Sequence, residues 1–357
     1  MKRTSIPVLQ ALLAAILFGA SAPLAKLLLG EVSPVALAAL LYLGSGLGLA
    51  ALRLVQKAFT GTAVQEARIE PADLPWLAGA VLSGGVLAPI LLLISLEHTP
   101  AATVSLLLNF EAVATTLIAA LVFREAIGKS VGWAIGLVTL AGILLSWQPG
   151  VSRGFSLGAL GVAAACFLWG VDNNLTRNIS AKDPLSIVTW KGLGAGLTSL
   201  LIALALRQPF PALGILAAAL VLGFFSYGFS IVLFIRAMRE LGAARTSTLF
   251  GAAPFVGALI AVFLFWEWPG TAFLLALPLM LVGAFLLVRE RHEHTHTHAT
   301  FDHDHAHGHT DEHHDHEHLE SALDCEGVHC HPHAHWPICH RHVHAPDIHH
   351  RHDHETV

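Results

Sequence analysis

What most of this sequence lacks is charge. Asp, Glu, Lys and Arg supply 13% of its 357 residues, whereas 54% are hydrophobic and the mean hydropathy is +0.63. An ordinary soluble domain carries about 25% charged residues, so that class is excluded. Nearly all of the 24 histidines and many of the charges lie beyond Val288, and the formal net charge of -5 therefore averages two unlike parts. It indicates no nucleic-acid partner.

Cysteine is scarce as well. Of four, Cys166 sits in an apolar run, while Cys325, Cys330 and Cys339 lie among the histidines. No C-x-x-C pair occurs, which argues against a single preformed tetrahedral zinc site, and in a reducing compartment the tail thiols are metal-ligand or redox candidates rather than a disulfide framework. The apolar part also has no nucleophile beside a base at a recognisable spacing, so an enzyme is not expected.

Long apolar runs are what is present. A helix needs about 20 residues to cross a bilayer core of about 30 Å, and ten runs of that kind precede Arg289: 7–29, 34–54, 74–96, 101–123, 131–147, 155–175, 184–206, 212–234, 243–265 and 271–288. The expectation is an all-α integral membrane protein with the lipid bilayer as a partner. Lys2 and Arg3, an apolar stretch and Ala20-Ser21-Ala22 give the first run a rival reading as a secretory signal. Its counterpart at 155–175 argues against that.

Lys and Arg in the short connections set the orientation. One side receives Lys2, Arg3, Arg53, Lys57, Arg68, Arg124, Lys129, Arg177, Lys182, Arg236, Arg239, Arg245, Arg289 and Arg291; the other receives Arg153 and Arg207. Both termini are then expected in the cytoplasm, where the three tail thiols stay reduced.

The chain repeats itself. AATVSLLLNFEAVATTLIAALVFRE at 101–125 aligns without a gap on AARTSTLFGAAPFVGALIAVFLFWE at 243–267, each closing on a glutamate. Leu17, Gly19, Leu24 and Lys26 fall on Leu168, Gly170, Leu175 and Arg177, and LGSGL at Leu43 falls on LGAGL at Leu193. Each half, 7–147 and 155–288, thus holds five helices. An odd number of spans inverts the second half relative to the first, an arrangement suited to alternating access.

These features together, with the small-residue-rich FGASAPLAK of the first helix, resemble the EamA family of the drug/metabolite transporter superfamily over about residues 7–288. The resemblance implies a bacterial inner-membrane permease, often an exporter of amino acids or other metabolites, and leaves the substrate open. One departure concerns the fourth and ninth helices. Pro254 keeps the proline common in mid-helix there, whereas its equivalent is Ala112, preceded by Glu111, so a charge stands beside the place where a helix break is expected.

Glu111 falls near mid-membrane, where an ionisable group costs at least ~2.5 kcal/mol and marks a transport role, as substrate contact or as proton carrier. Hydrogen bonding to Thr115, one turn on, is the bland alternative. Lys26, Asp172 and Lys191 are shallower, with Asn173 beside Asp172, and they are pathway candidates or internal ion pairs. Trp169, Tyr42 and Tyr227 line the pathway or belong to the apolar packing.

From 289 to 357 the sequence is low in complexity, without hydrophobic periodicity, and is expected to lack regular structure without ligand. Its imidazoles and thiols suit Ni, Co or Zn: His303, His305, His307 and His309; His329, Cys330, His331, His333 and His335; Cys339, His340 and His342; His349, His350 and His352. No cofactor is required for the membrane part. The expected function is an exporter of a small solute, with divalent-metal efflux favoured by the tail. A metabolite exporter regulated by metal, and a membrane-anchored metal sensor or buffer, are the alternatives. Oligomeric state, including a homodimer, is left open.

Overall fold

The computed structural model describes residues 5–60, 67–123, 129–147, 156–180, 182–241, 243–266 and 268–289, together with four short tail segments. Among the described residues seven helices are long and apolar enough to cross a membrane: Ile6–Leu28, Pro34–Ala58, Pro71–Glu97, Ala101–Val122, Lys129–Ser146, Pro184–Ala205 and Leu213–Met238. Between Lys129–Ser146, the fifth membrane helix, and Pro184–Ala205, then the seventh, runs the sixth, Leu157–Arg177, whose Asp172, Asn173 and Asn174 lower its hydropathy; Leu213–Met238 is the eighth. The ninth consists of Ala243–Phe250 and Ala253–Phe265, and the tenth is Thr271–Arg289. These ten helices form two inverted five-helix repeats, which puts both ends of the bundle on one side, called here the terminal side.

Lipid supplies no hydrophobic drive between helices, so small residues must let backbones approach. The repeated LGSGL and LGAGL motifs do this against each other. A Cβ at Gly46 would lie 2.6 Å from the Leu193 nitrogen, one at Gly192 2.6 Å from the Gly46 nitrogen, and one at Gly196 2.6 Å from the Leu43 nitrogen. The second and seventh helices therefore cross at contact distance. On the outer faces Leu121, Trp133 and Leu213 stand largely exposed, as side chains that meet lipid do.

Three helices are broken, two of them, the fourth and the ninth, at the place where the Pro254 alignment leads a break to be expected. The first turns at Ala20, the fourth between Leu107 and Phe110, and the ninth between Phe250 and Ala253. The last two breaks occupy equivalent places in the two repeats but are made differently. Pro254 stands in the first turn of Ala253–Phe265, where its missing N–H costs nothing. In the fourth helix the Asn109 side-chain nitrogen donates to the Leu106 carbonyl at 2.8 Å, capping the broken end without a proline.

The third and eighth helices share another irregularity. Each widens into a π-helical stretch, Val81–Leu87 and Phe224–Phe229, so Ser83-Gly84-Gly85 lies opposite Ser226-Tyr227-Gly228 in the repeat. In the tail, where regular structure was not expected, strands His292–Thr297 and Cys339–His344 pair antiparallel, as do Phe301–His307 and His329–His335. Histidine at every second position has the period of a strand, which is how so polar a stretch accommodates one.

Candidate functional site

Polar groups gather where the fourth, sixth and seventh helices meet near the broken segment. Glu111 lies in the first turn of Phe110–Phe123, and its own N–H donates across the break to the Leu108 carbonyl at 3.0 Å. The Asn173 amide nitrogen donates to Glu111 Oε1 at 2.9 Å and to Thr115 Oγ1 at 3.1 Å. Thr115 does not reach the carboxylate: its hydroxyl donates to the Glu111 main-chain carbonyl at 2.8 Å. Asn174 ties the same turn to the sixth helix, donating to the Thr115 carbonyl at 3.1 Å.

Asp172 and Lys191 form a separate unit. The Lys191 ammonium donates to Asp172 Oδ1 at 2.6 Å and Oδ2 at 2.9 Å, and Thr176 donates to Oδ1 at 2.9 Å. Asp172 is 5% exposed, and a carboxylate so placed needs these partners. Gly84 makes room for it, since a Cβ there would sit 2.0 Å from Asp172 Oδ2.

The Gly84 carbonyl also collects two donors, the Tyr42 hydroxyl and the Trp169 indole, each at 2.9 Å. Tyr42 stacks on Tyr227 with ring centroids 5.6 Å apart. Tyr227 meets the edge of Phe18 at 6.1 Å, and Phe18 meets Phe250 at 5.3 Å. Trp169 and Asn173 stand one turn apart on the sixth helix, so the carbonyl that holds Tyr42 lies about a turn from the amide that holds Glu111. An aromatic wall thus passes from the second helix to the ninth on the side of the carboxylate.

Glu111, Asn173 and Thr115 are therefore together, Asp172 and Lys191 are paired beside them, and Trp169 joins through Gly84. Two of the residues singled out by sequence lie elsewhere. The Lys26 ammonium donates to the Thr99 carbonyl at 2.5 Å, at the side away from the termini, and Pro254 belongs to the ninth-helix break. Tyr42 and Tyr227, weighed from sequence as pathway lining or packing, join the cluster through the Gly84 carbonyl and their stacking, whereas Gly84 and Asn109 were missed as site-building residues. Extending the repeat alignment to SGG at Ser83 and SYG at Ser226 would have marked Gly84. Among the tail candidates, His309, His349, His350 and His352 lie outside the described residues.

The site has a closed side and an open one. Away from the termini, Ala101–Leu107 of the fourth helix packs on Ala253–Phe265 of the ninth and on the first helix. A Cβ at Gly19 would lie 2.3 Å from the Ala253 carbonyl oxygen, and one at Gly257 2.5 Å from that of Gly19 and 3.0 Å from Ser105 Oγ. Toward the termini the two helices part. Phe110–Phe123 packs on the sixth helix, whereas Ala243–Phe250 packs on the first and eighth. Asn173 is exposed there although it lies within the bundle, so the carboxylate cluster borders the opening.

Beyond the bundle, on the terminal side, Arg53 bonds Asp183 at 2.9 Å, and Lys182 bonds Glu70 at 2.9 Å and Asp73 at 3.6 Å. Partial burial pulls the Lys182 ammonium down, but the two carboxylates outweigh it and hold it above the ordinary lysine value.

A family model, that of the EamA-like transporter family, matches residues 5–147 and again 156–289. A protein described as an uncharacterized transporter, from Methanothermobacter thermautotrophicus, is 32% identical over 261 residues, 70% of this chain and 76% of its own. A solved crystal structure of a protein aligns over 78% of this chain and 97% of its own, with a TM-score of 0.55 and 22% identity, a likeness of fold.

Proposed function

The chain belongs to the EamA-like transporter family, and on that premise we propose that it is a secondary transporter exporting a small solute from the cytoplasm past Glu111. The observation that carries the reading is the lone carboxylate at a half-helix end, bordering an opening on the terminal side. Lys and Arg crowd the connections of that side, which supports its being cytoplasmic and the protein's lying in a bacterial inner membrane. Glu111 is occupied in turn by solute and by a proton, so export is coupled to proton entry.

Asp172 is neutralised by Lys191, and the two act as a fixed support rather than as cargo ligands. That leaves one uncompensated carboxylate, a weak binding site for a divalent metal. The geometry therefore favours an organic solute, with the tail, from His303 to His352, binding Ni, Co or Zn as a regulator. The tail itself favours a second reading, in which the metal is the cargo and the histidines and thiols gather it.

Proteoliposome flux separates these readings. Full-length, Glu111→Ala and tail-deleted (291–357) proteins are compared with Ni, Co, Zn and a panel of amino acids and amines. An organic solute should move in a Glu111-dependent way, and tail deletion should change its metal response alone. Metal flux that requires both Glu111 and the tail would establish the second reading. A metal-dependent phenotype that survives Glu111→Ala and vanishes with the tail would make the helices an anchor for a sensor.

A further inference from the structure

The transport reading leaves the chemistry of the solute open, and the two walls of the site bear on it. One wall carries charge. Within the cluster Asp172 and Lys191 cancel, bonded at 2.6 and 2.9 Å, so the Glu111 carboxylate sets the sign. Its hydrogen-bond donor is the neutral amide of Asn173. A site of one net negative charge within the bundle selects a single positive charge.

The facing wall is aromatic. Tyr42 is held by the Gly84 carbonyl it shares with Trp169, so the stacked Tyr42 and Tyr227 rings stand at a fixed height beside the carboxylate. Phe18 and Phe250 continue the surface toward the opening between the fourth and ninth helices. Ring faces attract a cation that has shed water, and they also accept an apolar body. A hydrated divalent metal uses neither property well, and an anion is repelled by Glu111.

We infer that the Glu111 site takes a monovalent organic cation, a primary or substituted amine carrying an apolar, ring-sized body, with the ammonium at Glu111 and Asn173 and the body along Tyr42, Tyr227 and Phe18. This deepens the transport reading and rests on it. Neither aromatic ring nor carboxylate suffices alone: the first would pass neutral rings and the second any small cation.

The test is calorimetric titration of the full-length protein in nanodiscs with phenethylamine, with 3-phenylpropionate of like shape and opposite charge, and with methylamine, which lacks the body. Phenethylamine should bind at least ten times more tightly than either. Glu111→Gln should remove that preference, and Tyr227→Leu should weaken phenethylamine at least fivefold while leaving methylamine unchanged. Tyr227→Phe keeps the ring and should bind as the parent does, which separates a lost ring from a misfolded protein. Equal binding of phenylpropionate, or an unchanged phenethylamine affinity in a folded Tyr227→Leu protein, overturns the inference. Should another solute show Glu111-dependent efflux while phenethylamine does not bind, the inference alone fails. Should no solute depend on Glu111, the transport reading fails with it.

Discussion

The fourth and ninth helices are the same element twice, and they have been put to different uses. Both break at equivalent positions, yet where the fourth has Asn109, Glu111 and Thr115 the ninth has Gly251, Ala253 and Gly257. In the fourth helix the side chains beyond the break make the polar cluster with Asn173. In the ninth their absence lets the first helix close in, with Gly19 against Ala253 and Gly257. Repeat symmetry here governs backbone shape, while chemistry is divided: one half reads the solute and the other seals the far side.

The sharpest way to break that division is to remove what each half contributes. Glu111→Ala should reduce transport on the order of 100-fold or more, about 3 kcal/mol if a charge-assisted contact is lost, as measured by initial efflux rate. Gly257→Leu should also reduce efflux at least about tenfold, for a different reason, since a side chain cannot fit 2.5 Å from the Gly19 carbonyl oxygen. Thiol labelling of Ser105→Cys should report an opened far side in that variant and a closed one in Glu111→Ala.

Stability separates the supporting ion pair from the reading group. Lys191→Met leaves Asp172 buried without its cation and should cost about 3–5 kcal/mol in denaturant titration, whereas Lys191→Met with Asp172→Leu should recover much of this. The two breaks can be compared directly. Ala112→Pro places proline in the first turn of the half-helix, as Pro254 is placed in the ninth, and should change stability by under about 1 kcal/mol, against about 3 kcal/mol or more in a helix interior. The smallest effect is expected outside the membrane. Lys182→Ala should cost no more than about 1 kcal/mol, because its partner Glu70 is exposed. With the Lys182 value raised in the folded protein, its contribution is whole below the ordinary lysine range of about 10.4 and is lost as pH rises beyond it.

The broad architecture was legible because membrane crossing is written in composition and length, and inversion in an odd number of spans. LGSGL and LGAGL, matched in sequence, prove to be one of the surfaces at which the two halves touch. The sixth helix was equally plain as a run, although its polar end holds it below the hydropathy of the others. What sequence could not supply was which charges meet. Lys26 and Lys191 looked alike along the chain, but one ends on a main-chain carbonyl and the other on Asp172. The place of the fourth-helix break was marked by its equivalence to Pro254, but not the means, because an asparagine amide can cap a broken turn as well as a proline can start one. The Gly84 hub stayed hidden because a π-helical turn has no fixed residue signature, and its meaning appears only once Tyr42, Trp169 and Asp172 converge on it.

The division between reading and sealing is tested most directly by equilibrium binding of the transported solute to Glu111→Gln and Gly257→Leu proteins, side by side in nanodiscs. The account requires Gly257→Leu to bind within a few-fold of the parent protein while failing to transport, and Glu111→Gln to lose binding at least about tenfold. Equal loss of binding in both variants, or full binding in both, would contradict it.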